Sequence, residues 1–156
     1  MRNLSSIRAI AALVALCACS NRDTTGPAKP NSNGSMSAVI DGAGWSAVSI
    51  ATDSAAPSSI IIQGSNAAHQ TLVVAIPVDQ GVGTQAVGST TPVFAGLFIG
   101  SQSWLASRTQ GGAGSVTLTT VAPGHLVGTF QFTLATHDGA SPAERRVSAG
   151  QFDVRY

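Results

Sequence analysis

From Ser115 to the C-terminus, apolar and polar residues alternate with a period of two, and this alternation constrains the fold most tightly. In Ser115–Val121, Val116 and Leu118 share one side while Thr117 and Thr119 share the other. After the turn Ala122-Pro123-Gly124-His125, the stretch Leu126–Thr136 places Leu126, Phe130, Phe132 and Leu134 together. Val127, Thr129, Gln131 and Thr133 fall opposite. The last segment, Val147–Tyr156, directs Phe152, Val154 and Tyr156 inward and Gln151, Asp153 and Arg155 outward. Side chains of a strand alternate between faces, and an antiparallel sheet tolerates one wet face, so this third of the chain predicts antiparallel strands. Asp138–Arg146 reads as an exposed polar loop between the last two of them.

Upstream, short apolar runs are divided by turn residues. Ser37–Ile40 and Trp45–Val48 flank Asp41-Gly42-Ala43-Gly44, the signature of a hairpin with an Asp-Gly turn. Ser59–Gln63 and Thr71–Pro77 are continuous β-branched runs, typical of buried strands. Phe94–Ile99 and Ser103–Ala106 are further strand candidates. No window beyond the N-terminal segment shows a 3.6-residue period with caps, and no repeat recurs at fixed spacing. The expectation is an all-β domain over residues 36–156: a single antiparallel β-sandwich, or a partly closed barrel.

Composition supports a folded domain. Charged residues are only 10% of the chain, but 44% of it is apolar and the mean hydropathy is +0.25. Disorder requires low hydrophobicity with high net charge, and neither holds. Lys29 is the only lysine and Glu144 the only glutamate. A mechanism that needs two glutamates, or a lysine within the domain, is thereby excluded.

The N-terminus has a different character. Arg2 and Arg8 precede the apolar run Ala9–Leu16, and small residues follow. That order describes a secretory signal peptide. Eight apolar residues fall far short of the ~20 that span a bilayer. Leu16-Cys17-Ala18-Cys19 resembles the lipobox of bacterial lipoproteins. The resemblance implies cleavage before Cys19 and a diacylglyceryl thioether on its sulfur, usually with an N-acyl chain. Two or three acyl chains hold a protein at a membrane where one holds it only marginally. The expected organisation is a signal peptide at 1–18, lipidated Cys19 with a flexible linker through 35, and the β domain at 36–156. The segment Ser20–Ser35 is built of Ser, Asn, Thr, Gly and Pro and contains no large aliphatic residue.

After such cleavage one cysteine remains, so no intramolecular disulfide can form. The remaining chain carries six cations against seven anions, a net charge of −1 with His neutral. Without a basic patch, no nucleic-acid partner is expected. The expected partners are a membrane, through the lipid anchor, and an envelope protein or glycan. The expected location is the cell envelope, on the outer membrane, because Ser20 stands where an inner-membrane retention signal would place Asp.

The strand landmarks also resemble a family of uncharacterised small bacterial lipoproteins. The matching pieces are Ala38–Gly42 with Trp45–Ala47, then Gly114–Thr119, Gly128–Thr133 and Val147–Val154, in that order. The resemblance implies an all-β, lipid-anchored domain and carries over no catalytic residue.

The sequence contains no reactive motif. Gly-x-Ser-x-Gly, Ser-x-x-Lys, His-Glu-x-x-His and Cys-x-x-Cys do not occur. His69, His125 and His137 read as solvated loop-end residues, the last two flanking one strand. Asp41, Asp53, Asp79 and Asp138 sit in or beside turns, where Asp before Gly is the usual pairing. Gly111–Ser115 is glycine-rich but precedes a strand and lacks the lysine of a phosphate cradle. No metal or cofactor is expected. Trp45 reads as core. Trp104, among Ser101, Gln102 and Ser103, is the candidate for stacking on a ligand. The leading expectation is a non-enzymatic binding or structural module tethered to a membrane. The alternative is a carbohydrate-binding surface module, calcium-assisted, using Trp104. A hydrolase ranks third and would require His69 beside Asp79 or Asp53.

Overall fold

The structure, a computed structural model, describes residues 33–56, 58–87 and 93–156. Cys19 and the expected signal peptide lie outside the described residues, as does nearly all of the expected linker. The described residues contain eleven strands: β1 (Gly34–Ile40), β2 (Ala43–Ser46), β3 (Ser49–Ala56), β4 (Ser59–Ser65), β5 (Gln70–Pro77), β6 (Gly83–Ala86), β7 (Phe94–Ile99), β8 (Gln102–Ala106), β9 (Ala113–Ala122), β10 (His125–Thr136) and β11 (Glu144–Arg155). No helix occurs among them.

All eleven join one antiparallel sheet in the order β2-β1-β11-β10-β8-β7-β5-β4-β3, with β9 alongside β10 and β6 alongside β9. The sheet curls into a half-barrel, the second of the two expected layouts. Its two ends approach each other. The Asn33 amide donates to the Ile50 carbonyl (3.4 Å), and Thr52 Oγ1 donates to the Arg155 carbonyl (3.2 Å). Trp45 packs inward, and its Nε1 donates to the Gln70 carbonyl across the same gap. At Gly64, an added Cβ would lie 2.9 Å from both Met36 Sδ and Trp45 Cη2. A glycine is needed there because β4 meets the β1–β2 hairpin through these two side chains.

The core lies on the inner face. Ile62, Leu72, Val74, Ile76, Leu97, Leu126 and Leu134 are fully enclosed. Under β9, β10 and β11 the core is organised by phenylalanines facing glycines on the neighbouring strand. Phe132 pairs with Gly114, Phe130 with Gly150, and Phe152 with Gly128. Each ring occupies the space a side chain opposite would fill. The Phe130 ring stacks between those of Phe132 and Phe152, with centroids 5.7 and 6.2 Å away. Such aromatic–glycine pairs recover the packing that a strand glycine forfeits. A bulge in β11 shifts the register against both neighbours, with Ala149 at φ 47°. Bulges of this kind bend a strand and increase its twist, which favours curling.

The Asp41-Gly42 turn has φ of 49° and 85°, the doubly positive geometry that matches the twist of a two-residue hairpin. Three expectations need correction. Gly34 and Ser35, placed in the linker, begin β1 because they pair with Val154 and Asp153. Glu144–Arg146, placed in the polar loop, already belong to β11, where they pair with β10. Tyr156, expected inward, is 42% exposed: it lies past the end of β11, and its hydroxyl donates to the Ala122 carbonyl.

Candidate functional site

Several ionisable groups of the domain sit where strands and loops join. Asp41, at the β1–β2 turn, accepts from Arg145 Nη1 (2.7 Å) and from the backbone N–H of Arg146 (2.8 Å). Partial burial pushes its carboxyl pKa up. The Arg146 N–H and the Arg145 guanidinium outweigh that, and the net pKa lies below the ordinary value. The Arg145 guanidinium sits 4.6 Å from the centre of the Trp104 ring, a cation–π contact. Trp104 Nε1 donates to the Pro142 carbonyl at 2.7 Å. Asp138 Oδ2 accepts from both the N–H and the Oγ of Ser103, while Oδ1 accepts from the Ala140 N–H. Together these contacts tie the 137–143 loop to β8, β11 and the first hairpin.

Trp104 is therefore not a stacking platform. It has no exposed surface, one face carries Arg145, and its only polar atom is spent on Pro142. The polar neighbours Ser101, Gln102 and Ser103 suggested a wet ring. Ser103 instead alternates outward while Trp104 turns into the core. Glycan recognition through this ring is overturned.

The histidines do not converge. His125 opens β10 and pairs with Asp153 (2.8 Å), whereas His137 follows the end of β10 and contacts Gln110 (2.7 Å). His69 precedes β5 and Asp79 follows it, so the eight residues of that strand separate them. At ~3.3 Å per residue this is roughly 26 Å, beyond direct proton transfer. Asp53 lies within β3 and accepts from the Ser54 N–H. Among the described residues, no three His, Cys, Asp or Glu side chains gather closely enough to hold a metal ion.

A hollow of about 480 Å³ lies on the outer face of β9, β10 and β11 and is lined by Ser115, Thr117, Thr129, Gln131 and Gln151, among others. Neighbouring hollows of about 300 and 260 Å³ extend it toward Ser148 and Asp153. The sequence marked these residues only as the polar side of the alternation. Apart from Arg146 and Asp153 in the two neighbouring hollows, the polar side chains are neutral donors and acceptors, suited to hydrogen bonding.

A family profile described as "Domain of unknown function (DUF6252)" matches residues 32–153. The chain belongs to this family. The DUF6252 match covers the whole sheet apart from the end of β11 and agrees with the resemblance to an uncharacterised family. No curated protein and no solved structure matches the chain.

Proposed function

We propose that this DUF6252 chain is a cell-envelope lipoprotein whose half-barrel acts as a non-enzymatic binding or structural module, held at a membrane through acylated Cys19. The observation that carries the reading is how the domain uses its ionisable groups. Asp41, Asp138, Arg145, His125 and His137 are each engaged in joining one element to another. The alternating strands build a rigid frame, and the neutral hollow on β9–β11 is the surface best suited to a polar partner. The lipobox-like Leu16–Cys19 and the polar stretch that follows supply the tether. Labelling of cells with radioactive palmitate tests the anchor. The wild-type chain takes up label and Cys19→Ala does not; absence of label from both would remove the anchor.

A further inference from the structure

The two most apolar strands of the sheet, β4 and β5, read as buried strands, but the core covers only one of their faces. Ile60, Ile62, Leu72, Val74 and Ile76 point inward and are buried, whereas Ile61, Val73 and Ala75 alternate to the outside together with the polar Ser59, Gln63, Ser65 and Thr71. In β7 and β8, Ala95, Leu97 and Trp104 point inward while Phe94, Phe98 and Leu105 point outward. The register sets the outward residues side by side. Ile61 neighbours Ala75, which neighbours Phe94; Val73 neighbours Gly96, which neighbours Leu105. The Phe98 ring and a Leu105 methyl close over Gly96, at 2.8 and 3.2 Å from where its Cβ would be. Leu105 is buried by these neighbours without joining the core cluster. The four strands contain no charged residue. An uncovered antiparallel sheet ordinarily presents a polar outer face, as β9–β11 do here, so a contiguous apolar one marks an interaction surface.

After the cleavage proposed above, no large apolar residue outside the described ones is left to cover it. Beyond Cys19, the residues outside the description are 20–32, Pro57 and 88–92, and none is a large aliphatic or aromatic residue. The segment 20–32 leads into Asn33, which bonds to Ile50 on β3, the strand next to β4. Whatever their arrangement, thirteen residues reach at most about 43–47 Å. A bilayer holding Cys19 is thus always within reach of this face, at the high effective concentration a short tether imposes. The patch from Ile61 to Leu105 itself carries no ion, with the carboxylates of Asp53, paired with Ile61, and Asp138, bonded to Ser103, at its border, so the patch approaches lipid without itself desolvating a charge.

We propose that the outer face of β4, β5, β7 and β8 rests on the bilayer to which the anchor tethers the domain, turning the β9–β11 hollow away from it. This inference rests on the anchor reading. The test places an indole at Phe98→Trp, and at Gln151→Trp on β11 as the control, in full-length protein purified from membranes and reconstituted in phosphatidylcholine vesicles. Brominated lipid should quench the added emission at position 98 and not at 151. A second form, Cys19→Ser with a His-tag before residue 19, is held by nickel-chelating lipid and repeats the measurement without acylation. Quenching at 98 in both forms supports the proposal. If the untagged protein fails to associate with vesicles while the tagged form is still quenched at 98, only the anchor reading fails. Equal quenching at 98 and 151 in the tagged form overturns the proposal. So does a dimer by sedimentation that shields position 98 from the lipid. Phe98→Gln, checked by circular dichroism for an unchanged fold, should lower vesicle binding of the Cys19→Ser chain without a tag, and unchanged binding would also count against the bilayer.

Discussion

Replacing Gly150 by Ala tests whether the phenylalanine–glycine pairs set the packing of the core. Gly150 lies outside the left-handed region, so alanine meets no conformational penalty. In an open strand the change would stabilise by about 0.5–1 kcal/mol, since glycine loses more freedom on folding. Here the added Cβ would lie 2.3 Å from Cδ2 and Cε2 of Phe130 and 2.6 Å from its carbonyl oxygen. The ring cannot retreat freely, because it stacks between Phe132 and Phe152. Overpacking of this kind costs about 1–3 kcal/mol, which exceeds the entropic gain. The expected net loss is roughly 1–2 kcal/mol, or a Tm lowered by about 4–10 °C in a domain of this size. Urea and thermal unfolding followed by circular dichroism measure it, with an unchanged m-value indicating that the folded state is otherwise preserved. In a Phe130→Leu background the ring clash disappears and only the carbonyl contact remains, so the cost of Gly150→Ala should fall. A coupling of about 0.5–3 kcal/mol is expected for residues in direct contact. A stabilised Gly150→Ala protein, or an identical cost in both backgrounds, would refute the reasoning.

Two further outcomes follow from the joints. The lowered pKa of Asp41 means that its stabilising contribution is complete above the ordinary aspartate range and is lost as pH falls through the lower folded value. Asp41→Asn should therefore lower stability at pH 7 by about 0.5–1 kcal/mol and converge with wild type as the pH falls below the lowered folded pKa, in parallel denaturant titrations. Trp104→Phe removes the donor to the Pro142 carbonyl and weakens the Arg145 contact, for an expected loss of about 1–3 kcal/mol. Acrylamide should not reach the wild-type Trp104 indole, and efficient quenching of it would contradict its burial.

Much of the sheet could be read from the chain because burial imposes period two on β9, β10 and β11. The Asp-Gly hairpin was legible because few residues accept two successive positive φ angles. β3 was not legible, because as an edge strand it needs only Ile50 in the core, and Ser, Ala, Thr and Asp fill the rest. β6 was hidden for a different reason: its inward residue is Gln85, which reaches the Pro77 carbonyl from a buried position. The apolar runs of β4 and β5 announced buried strands, and the core covers one face of each. The site was harder. Trp104 and Asp138 both stood out in the sequence, but their engagement with Pro142 and Ser103 depends on loop contacts 35–38 residues away. Pairings that distant leave no local pattern.

The most direct test of the central claim, that a lipid-tethered sheet domain is what the cell displays, is intact mass spectrometry of the protein extracted from its own membranes. The account predicts a polypeptide that starts at residue 19 and carries the added mass of a diacylglyceryl group, with or without a further acyl chain. An unmodified polypeptide with a different first residue, recovered from the soluble fraction, would contradict it.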